Sequence, residues 1–188
     1  VIALVDHLDF EIERRESMVG DLPEGIADYS SSGAIPLLVD GDLVITESRV
    51  MLEHLAERQG FDAAYPEDLA SRTRHRHAMA VTDENLVPAL SGAESTRRIP
   101  ETLDALEAVA DGEPTVCLMT LHIAPIWLRL RLWQPRGDFA RAIEARPSLR
   151  RWLDDTVALP CIARTSPDPK VHAQDLARAR EAGLMPAE

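Results

Sequence analysis

The chain has 188 residues, with 20 Lys and Arg against 32 Asp and Glu, giving a formal net charge of −12. That acidic balance argues against a nucleic-acid binder, which carries a basic face, and favours solubility. No apolar run approaches the ~20 residues of a membrane-spanning helix, and no stretch reads as a secretory leader. Two cysteines, Cys117 and Cys161, make no disulfide framework, so the expected compartment is a reducing cytoplasm.

In chain order, Val1 to about His7 reads as the end of a helix already under way. Phe10-Glu11-Ile12-Glu13 alternates apolar and polar, the pattern of a short half-buried strand. Residues 14–32 suit a loop with one short helix near Pro23–Asp28. Two apolar runs, Ile35–Val39 and Leu43–Ile45, then flank Asp40-Gly41-Asp42, a strong short hairpin signal. Val50, Met51, Leu52 and Leu55 follow at helical spacing, predicting a helix to about Arg58 that Gly60 stops. Thr46 or Ser48 can cap that helix, and Glu47 suits its positive end.

Residues 60–66 read as a linker, and everything beyond them as helix. Expected helices run from about Pro66 to Leu90, with Pro88 near the end, and over Pro100–Ala110, Leu118–Trp133, Asp138–Ala145, Pro147–Val157 and Ala173–Glu181. Leu118–Trp133 is apolar nearly all round, as a buried core helix is.

The hairpin feeding a capped helix, followed only by helices, resembles the glutathione transferase family over nearly the whole length. Leu121–Trp127 is similar to that family's buried central helix, and Pro147–Trp152 to its segment near the last core helix. The resemblance implies an α/β thioredoxin-like N-terminal domain (residues 1–59) lacking its first strand, a linker (60–66) and an all-helical domain (67–188). It also implies a cis Ile35–Pro36 bond, with Ile35 offering its backbone to the cysteinyl unit of glutathione. Glu47 and Ser48 would hold the γ-glutamyl end. The chemistry is reasonable by itself, since N–H groups at a helix start favour a carboxylate and a neighbouring Glu suits an ammonium group.

The activity so implied is thiolate attack by glutathione, as co-substrate, on a small electrophile, in a bacterial cytoplasmic homodimer. The residue that activates the thiol would lie before Val1, with about one strand, a loop and a helix turn. A record lacking its true N-terminus is therefore expected. Phe10–Glu13, Leu38–Asp40 and Glu47-Ser48-Arg49 also resemble the non-enzymatic branch called stringent starvation protein A, which binds RNA polymerase. That branch's Pro-His-Pro segment is not found; residues 59–66 read Gln-Gly-Phe-Asp-Ala-Ala-Tyr-Pro. A glutathione-dependent isomerase or dehalogenase is a third alternative.

Other constellations carry less. The family's central helix opens on a Ser/Thr-x-x-Asp capping box, where this chain has Cys117 and Thr120. Cys is a poor cap, so a shifted helix start is expected, at a cost of roughly 0.5–2 kcal/mol. Arg72-Thr73-Arg74-His75-Arg76-His77 reads first as a solvated helix face. His75 and His77 are two apart and do not face each other on a helix, so no metal site is expected there. Cys117 and Cys161, the latter in an expected late loop, match no catalytic thiol, and His122 reads as a satisfied core histidine.

Overall fold

A computed structural model describes residues 1–16, 24–30, 35–90, 98–133 and 138–181. The chain divides into two compact units, one of Val1–Phe61 with Pro167–Glu188 and one of Asp62–Ser166.

The first unit opens with α1 (Ile2–His7). Leu8 ends it, and Asp9 takes a left-handed φ of 49°. The Asp9 N–H bonds Asp6 O and the Phe10 N–H bonds Val5 O, which satisfies two of the last carbonyls. A 3-10 turn at Ile26–Asp28 falls within the expected short helix; residues 17–23 and 31–34 of the expected loop lie outside the described residues. The hairpin follows as β1 (Leu38–Asp40) and β2 (Leu43–Ile45). It is antiparallel, with Leu38 opposite Ile45, Val39 opposite Val44 and Asp40 opposite Leu43.

Gly41 and Asp42 form the two-residue connection. Only Gly41 has a positive φ, 61°, the pattern of a II′ turn that needs glycine first. A Cβ there would meet nothing within 4 Å, so backbone conformation and not space selects the glycine. Next comes α2 (Ser48–Arg58), which buries Met51, Leu52, Leu55 and Ala56. It ends as expected at Gly60: the Gly60 N–H bonds Glu57 O at 3.2 Å and the Phe61 N–H bonds Ala56 O at 2.9 Å, a Schellman closure.

The expected strand at Phe10–Glu13 is not formed. Phe10 and Ile12 are half-buried while Glu11 and Glu13 are exposed, so the alternation is present, but no ladder is. Alternating burial positions side chains; a strand also needs a hydrogen-bonded neighbour, and among the described residues the sheet is β1 and β2 alone.

The second unit is helical: α3 (Leu69–Leu90), α4 (Ile99–Glu107), α5 (Leu118–Trp133), α6 (Asp138–Glu144), α7 (Pro147–Val157) and α8 (Pro160–Thr165). Residues 91–97 and 134–137 lie outside the described residues. α3 packs on α4 and α5, α5 on α7, and α6 on α4 and α7. α5 is buried nearly all round, with Leu118, Met119, Leu121, Ile123, Ala124, Ile126, Trp127 and Leu130 in the core. The α3–α4 seam holds a closed polar network. Asn85 Nδ2 donates to Val81 O (2.9 Å) and Thr102 Oγ1 (3.0 Å), and Thr102 Oγ1 lies within bonding distance of Arg98 O (3.0 Å). A last helix, α9 (Pro169–Glu181), falls in the first unit.

The shifted start expected for α5 is not observed. Thr120, three residues into the turn, accepts the Cys117 N–H on its Oγ1 at 3.0 Å, and its own hydroxyl reaches Thr115 O at 2.7 Å. This is the returning half of a capping box, with Thr in place of Glu or Gln. It lets the helix begin directly after Cys117 although Cys is a poor cap.

Candidate functional site

The candidate site sits where the hairpin hands over to α2. Glu47 is the residue before the helix, extended at φ −97° and ψ 117°, and its side chain makes no cap hydrogen bond. The cap expected from Thr46 or Ser48 is therefore absent. Ser48 is instead the first helical residue, and the first helical bond runs from the Met51 N–H to Glu47 O at 2.9 Å. A helix start without a side-chain cap keeps its partial positive charge, about half an elementary charge, available to an outside anion. Glu47 is exposed and Ser48 half-buried at this end.

Ile35 and Pro36 reach the same end of the hairpin from the other strand. Their peptide bond is cis, and Ile35 is 55% exposed. Leu38 and Ile45 are the last paired residues at the open end of the hairpin, and Ile35-Pro36 and Glu47-Ser48 lie just beyond them on the two strands.

A clip at the closed end fixes the direction of α2. Asp40 Oδ2 and His54 Nε2 are 2.8 Å apart, and Arg58 pairs with the same carboxylate oxygen. The Arg58 guanidinium also lies over the Phe10 ring, 5.8 Å from its centre. The Arg58 hydrogen bond, then that of His54, holds the Asp40 carboxyl below the usual carboxylate range. Sequence reasoning missed this clip. Its signal was legible: His54 and Arg58 are four apart on a helix, so both can face the carboxylate that ends β1.

In the helical unit the basic run is not simply a solvated face. Arg72 donates to Pro66 O (3.1 Å) and Glu67 O (2.7 Å), Arg74 to Ser71 Oγ (2.8 Å), and Arg76 stacks over Tyr65 at 4.7 Å. Arg72 and Arg76 thus stitch the segment before α3 to its first turns, where Asp68 accepts the Ser71 N–H at 2.8 Å, while Arg74 bonds within the helix. Among the described residues no cluster suits a metal ion. Cys117 (6% exposed) and Cys161 (2%) are buried, and Cys161 lies in α8, not in the expected loop. His122 is buried, with Nε2 2.9 Å from Asp83 Oδ1 but outside hydrogen-bond geometry.

Residues 1–67 match the family model described as glutathione S-transferase, N-terminal domain. Among curated relatives, a stringent starvation protein A homolog of Haemophilus influenzae is 32% identical over 118 residues, which cover 63% of this chain and 52% of that protein. One of Histophilus somni is 37% identical over 93 residues, covering 47% and 42%. The chain thus spans about half the length of the curated relatives it matches. Of solved structures, glutathione transferase Omega 1C from Trametes versicolor has a TM-score of 0.72 at 20% identity, covering 100% of this chain and 92% of that one. Glutathione S-transferase III in its apo form has a TM-score of 0.61 at 21% identity, covering 89% and 92%. The fold is that of the glutathione transferases, a thioredoxin-like N-terminal domain with an all-helical partner. The N-terminal third thus matches the glutathione S-transferase N-terminal domain, and the chain shares the glutathione transferase fold.

Among the described residues no helix is long and apolar enough to cross a membrane.

Proposed function

We propose that this chain binds glutathione at the start of α2 and belongs to a protein that conjugates it to a small electrophile. In this reading residues 1–59 form the glutathione-binding domain, 60–66 the linker and 67–188 the helical domain. The protein works as a cytoplasmic homodimer. The observation that carries the reading is the α2 start without a side-chain cap, with Glu47 beside it. The first-turn N–H groups and Ser48 would receive the γ-glutamyl carboxylate, and Glu47 the ammonium group. Ile35, just before Pro36, would pair its backbone with the cysteinyl unit. Binding alone does not ionise the thiol, and among the described residues both cysteines are buried. The reading therefore assigns this chain the holding of glutathione and names no thiol-activating residue.

Retention on immobilised glutathione tests it. The wild-type chain is expected to bind and to elute with free glutathione, and Ser48→Ala to elute earlier. If wild type and variant both pass straight through, the glutathione reading fails. A conjugation assay with a chromogenic aryl halide then separates an enzyme from a binder.

The stringent starvation protein A homologs among the relatives favour a second reading, a non-catalytic binding protein of this fold. On that reading the chain passes through the glutathione column but co-purifies with RNA polymerase. A glutathione-dependent isomerase or dehalogenase would be retained by the column and fail the conjugation assay.

A further inference from the structure

The clip at the closed end of the hairpin and the proposed glutathione contacts lie at opposite ends of α2. The helix runs from Ser48 to Arg58, so those ends are about 15 Å apart. Asp40, the last residue of β1, meets both clip side chains at one oxygen. His54 Nε2 is 2.8 Å from Asp40 Oδ2, and Arg58 Nη1 pairs with the same atom. Phe10 adds a third contact, its ring centre 5.8 Å from the Arg58 guanidinium. The Asp40 and His54 side chains are each 27% exposed, so solvent and salt screen this pair less than a fully exposed one.

Two kinds of contact hold α2. Met51, Leu52, Leu55 and Ala56 bury its apolar face, and the helix packs on α1 and β2. Apolar burial is non-directional, so it selects the covered face more strictly than the tilt of the axis. The clip is directional, because charge-assisted bonds join the last turns of α2 to the end of β1. His54 and Arg58 are four apart and share a helix face, so two anchors on one carboxylate resist rolling as well as tilting. The proposed ligand contacts fall on the same two elements. Ile35 precedes β1, while Ser48 and the first-turn N–H groups belong to α2. A tilt of about 5° at the clip moves the start of α2, some 15 Å away, by roughly 1 Å. That exceeds the ~0.5 Å within which a binding constellation must be held.

We propose that Asp40, His54 and Arg58 are positioning residues for the glutathione site. They set the tilt of α2, and with it the separation of the first-turn N–H groups and Ser48 from the backbone of Ile35. The proposal rests on the glutathione reading above and adds to it three residues that touch no ligand.

Glutathione is titrated calorimetrically into the full chain and its variants, each shown to be folded at the working temperature by circular dichroism. Asp40→Asn and Arg58→Met are expected to weaken binding by roughly fivefold or more, the lower end of coupling between separated sites. Arg58→Lys, which keeps the charge, recovers most of the affinity. Leu103→Val, a destabilising change in α4, leaves the affinity unchanged, which separates tilt from general stability. Ser48→Ala weakens the wild type but has little further effect in the Arg58→Met background, because Ser48 is no longer in place there. Should Asp40→Asn fail to fold, the Arg58 variants decide alone. Binding by the wild type with equal affinity in the clip variants overturns the positioning role and leaves the glutathione reading standing. So does an equal loss in Leu103→Val, no recovery in Arg58→Lys, or an undiminished effect of Ser48→Ala in Arg58→Met. Absence of binding in the wild type overturns the glutathione reading and the positioning role together.

Discussion

The two units use their polar groups in opposite ways. In the Asp62–Ser166 unit they tie helices together: Asn85 and Thr102 join α3 to α4 in the core, and Arg146 joins Asp104 (2.5 Å) and Glu107 (3.2 Å) of α4 at the surface. In the Val1–Phe61 part of the other unit, the hairpin exposes Val39, Leu43 and Val44, and the start of α2 has no side-chain cap. One region is stabilised by satisfied contacts among its own residues. The other leaves apolar side chains of its hairpin exposed and the start of α2 without a bond from its cap residue.

Large-to-small substitution gives the largest separation between the two. Leu103 in α4 has no exposure, so Leu103→Ala is expected to cost ~2–5 kcal/mol in chemical denaturation. Val44→Ala, at 38% exposure on the hairpin, should stay within ~0.5 kcal/mol. Comparable losses at both positions would remove the contrast. Next is Thr102→Val, which keeps the shape but takes an acceptor from buried Asn85. An unpaired buried amide donor predicts a loss of ~1–3 kcal/mol, read from the same denaturation curves.

The smallest effect is on pH dependence in the first unit. Because Arg58 and His54 hold the Asp40 carboxyl below its ordinary 3.8, the clip is intact above that pH and is lost as pH falls through the lower, folded value. Asp40→Asn should therefore be less stable than the parent at neutral pH, with the gap closing in acid. A gap that widens as pH falls below 3.8 would contradict the assignment.

Much of this was legible in the sequence because it rested on local signals. Asp40-Gly41-Asp42 between apolar runs sets the hairpin, Gly60 closes α2, and the bounds of α5 and α7 follow from apolar spacing and Pro147. What was missed depended on a partner. Phe10–Glu13 has the alternation of a strand but no neighbour to bond it. Cys117 is a poor cap by residue type, but Thr120 supplies the bond from the third helical position. α8 was not expected, since the stretch at Cys161 read as a late loop, whereas Pro160 stands at the first helical position, where proline is favoured. Of the candidate site, the hairpin and the start of α2 were legible but the Asp40–His54–Arg58 clip that orients the helix was not, since it joins residues 14 and 18 positions apart.

The central claim is that the start of α2 holds the γ-glutamyl end of a bound glutathione. Isothermal titration of glutathione into the wild type, Glu47→Gln and Ser48→Ala tests it most directly. The account predicts one site per chain in the wild type, with Glu47→Gln weakened by roughly tenfold or more, as expected for loss of a charge-assisted contact, and Ser48→Ala by less. Absence of binding heat in the wild type, or the same affinity in all three proteins, would contradict it.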